Sequence, residues 1–418
     1  MPNRSRPRAA WKVRILLSAR LMRRAIRSLV TLLAVFGSLA WIVAVAGWFR
    51  GARRVPVLRE TAEAKEPIGR YPSVSVVVAA RDEEAGVGEA LWSVLDQDYP
   101  GELEVLAVDD RSTDRTAEII AGLAARRPGR LRMLKVDRLP DGWLGKNHAL
   151  YRGAAEACGE WLLFTDADVR FSPDCLELAM RYAEHKRLDH LTLAPELLSH
   201  GVALKSFVTA FTFVFGVTQR PWRAADPTAR EAVGVGAFNL LKREAYGRAG
   251  THEAIPLRPD DDMRLAKLLK EAGYSQDVAY GTGCVSVEWH QTLGGAIRGL
   301  EKSIFPGVDY RLSAIIAASL LLFLTNVWPF AGVFLARRRA MRLLYGADVL
   351  AIVAMYAHGP KVSGYSLSPL YLPLHPFGMA AFIYAALRSA YVALVRGGIQ
   401  WRGTFYPLRV LKGDDRRG

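Results

Sequence analysis

The sequence predicts an α/β protein in which a doubly wound, mostly parallel sheet is flanked by transmembrane helices. Three observations carry this prediction. Apolar, β-branched runs alternate with amphipathic segments between residues 72 and 305, which is typical of β–α–β units. Acidic residues follow several of these runs, and parallel sheets bind ligands at the edge where their strands end. Apolar runs long enough to cross a bilayer lie on both sides of this region.

The first strand is predicted at residues 73–80, which read Ser-Val-Ser-Val-Val-Val-Ala-Ala. A run so rich in valine suits a parallel strand that is buried on both faces. Further strands are predicted at 103–108, 131–136 and 161–165, and helices at 87–96 and 147–158. The Ser-Thr-Asp sequence at 112–114 can cap a helix between the second and third strands, and for Asp114 this role is favoured over ligand contact.

Two carboxylates one residue apart end the fourth predicted strand. Asp166 and Asp168 follow the run Trp-Leu-Leu-Phe-Thr. Paired carboxylate oxygens suit a hard divalent cation, so Mg²⁺ or Mn²⁺ is the expected cofactor. The spacing alone is weak, because aspartate is also common in turns for backbone reasons.

Four ordered motifs resemble the inverting family 2 glycosyltransferases with the GT-A fold. Residues 79–83, Ala-Ala-Arg-Asp-Glu, are similar to the family's Pro-x-x-Asn-Glu, with alanine and aspartate replacing proline and asparagine. Residues 108–116 resemble its Val-Asp-Asp-x-Ser-x-Asp-x-Thr, residues 145–150 its Gly-Lys-x-x-Ala-Leu, and residues 166–168 its Asp-x-Asp metal motif. The resemblance implies a GT-A (Rossmann-like) catalytic domain over residues 72–305.

The resemblance also implies a site for a nucleotide-sugar donor, expected to be a UDP-sugar. Asp82 and Asp110 are the candidates for holding the base or ribose, and Glu83 is a further donor-binding candidate. Lys146 would lie near the phosphates as a point charge, although a solvated lysine is the alternative. Asp166 is a donor-binding candidate as well, and with Asp168 it would hold the metal ion that neutralises charge on the departing diphosphate.

The acceptor side is predicted from the second half of the domain. Asp261-Asp262-x-x-Leu resembles the family's Glu-Asp-x-x-Leu, which makes Asp262 the general base that takes the proton from the attacking hydroxyl. Acids in a first helical turn also complement the helix dipole. Asp261, His252 and Lys302 are acceptor-side candidates, with a structural histidine and a solvated lysine as alternatives for the last two. Glycines within residues 233–240 either permit close approach of a ligand or mark a bulge.

Membrane segments are predicted at residues 29–49 and within residues 312–396, where two or three helices fit. Residues 29–49 carry no charge, and 21 residues are enough to span a bilayer. Residues 50–71 are predicted to be a linker. Residues 203–217, with four phenylalanines, form either an interfacial helix that receives a lipid or a buried helix.

The charge distribution bears on location and partners. The net charge of +15 collects beside apolar runs, where anionic lipid explains it, and no nucleic-acid motif is present, so nucleic acid is not expected as a partner. The basic segment 1–28 holds nine Arg or Lys, which favours a cytosolic position. A donor made in the cytosol requires the catalytic domain to face the cytoplasm, which would place segment 1–28 on the other side of the membrane. The charge of that segment and the location of the donor therefore predict opposite orientations for the first span. Three widely spaced cysteines predict no disulfide framework.

These observations predict a multi-pass cell-membrane enzyme that transfers a single sugar to a lipid, for example a terpenoid. Processive polymer synthases carry a Gln-x-x-Arg-Trp motif after the base, and none occurs here. The tail at 397–418 contains residues 401–406, which resemble the tail of lipid-directed transferases. Two alternatives remain open: a processive polysaccharide synthase, and a catalytically silent membrane scaffold that keeps a nucleotide-binding fold.

Overall fold

A computed structural model describes residues 6–363 and 369–412. The strands are β1 Val74–Ala80, β2 Leu103–Asp110, β3 Leu131–Val136, β4 Trp161–Asp166, β5 Val169–Phe171, β6 His190–Ala194, β7 Glu196–Leu197, β8 Asn239–Lys242, β9 Gln276–Tyr280, β10 Val285–Val287, β11 Gly398–Trp401 and β12 Thr404–Pro407. The helices are α1 Arg6–Ala52, α2 Ala62–Lys65, α3 Val87–Leu95, α4 Thr116–Arg126, α5 Gly145–Ala155, α6 Cys175–His185, α7 Val202–Gln219, α8 Arg243–Arg248, α9 Asp261–Glu271, α10 Leu293–Gly299, α11 Ile304–Gly307, α12 Leu312–Leu322, α13 Trp328–Leu335, α14 Arg339–Ser363, α15 His375–Val395 and α16 Leu408–Leu411.

The predicted α/β fold is confirmed. Seven strands form the main sheet in the order β3-β2-β1-β4-β8-β6-β9. The first four run parallel to one another, and β8 is antiparallel to both of its neighbours. The valines of β1 are buried on both faces, as expected for a central parallel strand.

The strand register brings the acidic strand ends to one edge of the sheet. Ala79 on β1 pairs with Asp166 on β4, and Ala80 pairs with Asp109 on β2. Because these three strands run parallel, the side chains that follow them converge above the same edge.

Five helices among the described residues are long and apolar enough to cross a membrane. They cover Thr31–Ala52, Val202–Arg223, Leu312–Leu335, Arg339–Ala357 and Tyr371–Val395. The predicted regions 29–49 and 312–396 therefore contain four such helices, and α7 is a fifth that the sequence left ambiguous. α7 packs against α1 and α15, with the Phe213 ring 5.2 Å from that of Trp41.

Two segments differ from the simple description that the sequence suggested. The described part of the basic segment is helical and continuous with the first candidate span, so α1 is 47 residues long, or about 70 Å. The linker at 50–71 packs against the catalytic domain: Leu58 is fully buried in its core, and Arg59 pairs with Asp174 (2.6 Å). This linker therefore fixes the end of α1 against the domain.

Candidate active site

Lys146 lies at the centre of the acidic edge. It is the second residue of α5, and its ammonium is 2.8 Å from the Asp166 carboxylate and 3.4 Å from that of Asp261. Burial alone would lower the pKa of Lys146, but the nearby carboxylates of Asp166, Asp261 and Asp262 outweigh it and raise that pKa. The lysine is therefore charged and links the end of β4 to the start of α9.

Gly145 and Gly236 are glycines because protein atoms approach them closely. A Cβ on Gly145 would lie 2.1 Å from an oxygen of Asp110, and one on Gly236 would lie 2.6 Å from an oxygen of Asp166. Gly234 lies equally close to another acid, since its Cβ would lie 2.1 Å from the carbonyl oxygen of Asp262. These glycines thus allow the chain itself to approach the acids closely.

Asp262 is held by backbone groups at the start of α9. One carboxylate oxygen accepts a hydrogen bond from the Gly236 N–H (2.8 Å) and the other from its own helix at Met263 (2.7 Å). Burial and then the neighbouring Asp261 raise the pKa of Asp262 to about 7. The Gly236 carbonyl in turn accepts from the Asp166 N–H (3.0 Å), so a single residue fixes both acids.

Asp166 and Asp168 offer two carboxylates, the ligand type that a hard divalent cation prefers. In residues 6–363 and 369–412, no three His, Cys, Asp or Glu side chains are grouped as a metal site. Mg²⁺, however, commonly binds through one or two carboxylates, with water and substrate phosphates as the other ligands. The enclosing cleft and the charges of Asp166 and Glu83 raise the pKa of Asp168 to about 7, which indicates a place where a cation's charge would be favourable.

Two cavities meet at these acids. The polar cavity, of about 500 Å³, lies over the edge formed by β1, β2 and α5 and is lined by charged residues such as Arg81, Glu83, Asp110, Lys146, Lys302 and Arg402. The apolar cavity, of about 280 Å³, is lined by side chains including Trp48, Leu197, Phe211, Phe215, Val235, Met263, Tyr280 and Met355, with Asp262 at its wall. Asp166, Asp168 and Trp289 line both, so the acids lie at the junction between a polar and an apolar compartment.

Comparison with known proteins identifies the domain that carries these cavities. Residues 75–246 match glycosyl transferase family 2. The chain therefore contains a glycosyl transferase family 2 domain. It is similar to the 4,4'-diaponeurosporenoate glycosyltransferase of Staphylococcus aureus strain USA300, with 24% identity over 360 residues that cover 84% of this chain and 92% of the relative. The protein of strain bovine RF122 / ET3-1 is 25% identical over 362 residues, with the same coverage.

A solved structure supports the same GT-A fold. The mannosyltransferase PcManGT from Pyrobaculum calidifontis, in complex with GDP-Man and Mn²⁺, aligns with a TM-score of 0.51. The alignment covers 87% of this chain and 98% of that chain at 19% identity, so the likeness is one of fold.

The predicted donor-side residues lie in different positions relative to the polar cavity. Glu83 and Asp110 line the polar cavity, and Asp110 is paired with Arg111 at 2.8 Å. Asp82 is not among the residues lining that cavity; it has a positive φ of 52° and accepts a hydrogen bond from the Thr113 backbone N–H (2.7 Å). Asp82 therefore holds a turn, and a direct contact with the donor stays a prediction.

The predicted acceptor-side residues also lie in different environments. Asp261 is buried beneath Lys146 rather than in the apolar cavity. His252 is fully buried, and one of its ring nitrogens is 2.8 Å from the hydroxyl of Tyr246, which is the arrangement of a structural histidine. Lys302 faces the polar cavity and not the apolar one, so neither the solvated helix face nor the acceptor side describes its position.

Sequence reasoning missed residues that line the cavities but lie outside the recognised motifs. Trp289 contacts Phe211 of α7, with ring centroids 4.5 Å apart. Arg402 and Trp401 reach the polar cavity from the C-terminal tail. The signals that could have indicated the tail residues were its aromatic and basic character and its resemblance to the tail of lipid-directed transferases.

Proposed function

We propose that this protein is a membrane-bound inverting glycosyltransferase that moves one sugar from a nucleotide-sugar donor to an apolar lipid acceptor. The first donors to test are UDP-sugars, and the chemical class proposed for the acceptor is a terpenoid with a terminal hydroxyl or carboxyl. The apolar cavity carries this proposal, since it joins the acids to helices long enough to cross a membrane. The Staphylococcus aureus relative is named a 4,4'-diaponeurosporenoate glycosyltransferase, and this name supports the same acceptor class.

The apolar cavity is built from both parts of the molecule. Trp48 of α1, Phe211 and Gly216 of α7 and Met355 of α14 line one side, and all three helices are candidate membrane spans. Asp262 lines the other side. An apolar chain that arrives from the bilayer gains free energy by leaving water, about 0.8 kcal/mol for each buried CH₂ group, while its polar end meets the acids.

The proposed reaction is a single displacement. A hydroxyl oxygen of the acceptor attacks the anomeric carbon and gives its proton to the carboxylate of Asp262, while the bond from that carbon to the diphosphate oxygen breaks. Lys146 fixes Asp166 and Asp261 beside this centre. A divalent cation held by Asp166 and Asp168 would supply positive charge to the leaving diphosphate. The polar cavity accommodates the nucleotide end of the donor.

The proposed location follows from the donor. The domain at 72–305 and the spans on either side form a multi-pass cell-membrane protein, and a donor supplied by the cytosol requires the catalytic domain to face the cytoplasm. This orientation is tested by labelling of single cysteines placed in the exposed loop near Gly142, with a membrane-impermeant maleimide applied before and after lysis. Labelling only after lysis supports the proposal.

The function is tested by comparing the lipids of cells that carry the intact gene, a deletion, or Asp262→Asn. We expect a lipid one sugar heavier than its precursor to disappear from both altered strains and to return with the intact gene. The matched control is Asp141→Asn, the same change at an exposed residue, which should restore the lipid. Unchanged lipids together with a lost extracellular polymer would instead support a polysaccharide synthase.

A further inference from the structure

The C-terminal hairpin ends in a strained turn directly over the polar cavity. Strands β11 and β12 are joined by Arg402 and Gly403, whose φ angles are +47° and +75°. This two-residue turn usually carries asparagine, aspartate or glycine, because both positions need a positive φ. An arginine in that conformation costs backbone free energy, which suggests that its side chain is used where the turn holds it.

Arg402 connects the hairpin to the end of β1. Its guanidinium donates to the carbonyl oxygen of Arg81 (2.6 Å) and pairs closely with the carboxylate of Glu83. Both partners line the polar cavity. The contact joins residues more than 300 positions apart in the chain, so it is set by the tertiary fold and not by local sequence.

Trp401 lies against a lysine that has no acidic ion-pair partner among the described residues. The ammonium of Lys302 lies 4.4 Å from the centre of the Trp401 ring, a distance at which a cation is attracted to an aromatic face. Within the described residues, Lys302 forms no ion pair, and the adjacent Glu301 pairs with Arg388 (2.6 Å) instead. Burial and the nearby charge of Lys146 lower the pKa of Lys302. An ammonium in this setting, facing a cavity, is suited to an anion.

A third contact ties the hairpin to the helix that carries Lys146. The hydroxyl of Tyr406 accepts a hydrogen bond from the backbone N–H of Gly145 (3.3 Å). The hairpin thus touches the end of β1, Lys302 and the start of α5, which together form three walls of the polar cavity.

We infer that the hairpin completes the donor site, with Lys302 contacting the diphosphate of the nucleotide sugar. Trp401 and Arg402 act as positioning residues, the first through Lys302 and the second by holding the turn against Arg81 and Glu83. This inference rests on the proposed function, because it takes the polar cavity to be the place where a nucleotide sugar binds. The acids of that cavity would repel a diphosphate, and Lys302 is a cation there that forms no ion pair with a carboxylate in the described part of the chain.

The test measures nucleotide binding by the full-length protein in detergent micelles with MnCl₂. Dissociation constants are compared for UDP and UMP, and for GDP and GMP, because a contact with the diphosphate affects the diphosphates more strongly. We expect Lys302→Met and Trp401→Leu to weaken binding of the preferred diphosphate about tenfold and of its monophosphate by less than about twofold. Arg402→Ala should show the same selectivity. The double variant of Lys302 and Trp401 should bind as Lys302→Met does, since the tryptophan acts through the lysine.

Controls separate this role from a general effect on folding. Arg396→Ala removes an exposed arginine just before the hairpin and should leave all four constants unchanged. Trp401→Phe keeps an aromatic face and should bind the diphosphate nearly as the unaltered protein does, and thermal unfolding checks that every variant is folded. Equal weakening for diphosphate and monophosphate, or no weakening, overturns the hairpin's role alone. If the unaltered protein binds neither UDP nor GDP, the proposed function falls and this inference falls with it.

Discussion

The proposed sugar transfer should slow as the pH drops below neutrality, because Asp262, the proposed base, must be ionised to accept a proton. Its pKa is raised to about 7 by burial and then by the charge of Asp261, from an ordinary value of 3.8. With that pKa, about one tenth of the enzyme holds an ionised base at pH 6, so kcat/KM should be about one tenth of its plateau there. An unshifted carboxyl would leave the rate at pH 6 unchanged.

Substitutions of Asp262 and of Asp261 should change the pH profile of the rate in different ways. Asp262→Asn removes the base and should lower kcat by about 10² to 10⁴-fold, with the dependence on this group lost from the pH profile. Asp261→Asn removes one of the charges that raise the pKa of Asp262, so the remaining activity should extend to lower pH. A substitution that only damaged the site would lower the rate without moving the profile in that direction.

The assay follows transfer of a radiolabelled sugar into extracted lipid from about pH 5 to pH 9 in overlapping buffers. Donor affinity is measured at each pH, so that a change in binding is not mistaken for a change in the chemical step. A profile that stays flat down to about pH 5, or an Asp262→Asn enzyme with more than about a tenth of the normal rate, would refute the assignment of the base.

Three further changes test other parts of the site. Gly234→Ala should destabilise the protein by about 1–3 kcal/mol, measured by thermal unfolding, because its Cβ would meet the Asp262 carbonyl oxygen at 2.1 Å; Gly247→Ala, with no atom within 4 Å, should be neutral, and equal effects would contradict this. Lys146→Met leaves two carboxylates without their cation, so the loss of stability should grow as the pH rises and these acids ionise; a loss independent of pH would argue against that pairing. Asp168→Asn should raise the Mn²⁺ concentration needed for half-maximal activity, and an unchanged Mn²⁺ titration would exclude Asp168 as a ligand.

The first half of the sheet could be predicted because each strand there is a distinct signal. The apolar runs that became β1, β2 and β4 are long and rich in β-branched or aromatic residues, as buried parallel strands require. The four residues of β8 are Asn-Leu-Leu-Lys, too short to show a period. Its antiparallel direction is set by its neighbours in the folded chain, which no local pattern encodes.

The acidic centre was accessible from sequence, whereas the cavity walls were not. Asp166, Asp168 and Asp262 lie in short motifs with recognisable spacing. Trp401 and Arg402 approach Lys302 and Glu83 only because α15 returns the chain to the catalytic domain, as its contacts with the segment around Lys302 indicate. Long-range contacts of this kind depend on how helices pack, so the resemblance of residues 401–406 to the tail of lipid-directed transferases did not indicate which residues they contact.

The shared wall of the two cavities has a consequence for inhibitor chemistry. Asp166, Asp168 and Trp289 face both compartments, so a nucleotide joined through a short linker to an apolar chain could occupy both at once. Linking the two parts makes the second binding event intramolecular, and affinity can then rise well above that of either fragment. The linker length that gives the tightest binding would measure the separation between the donor and acceptor sites.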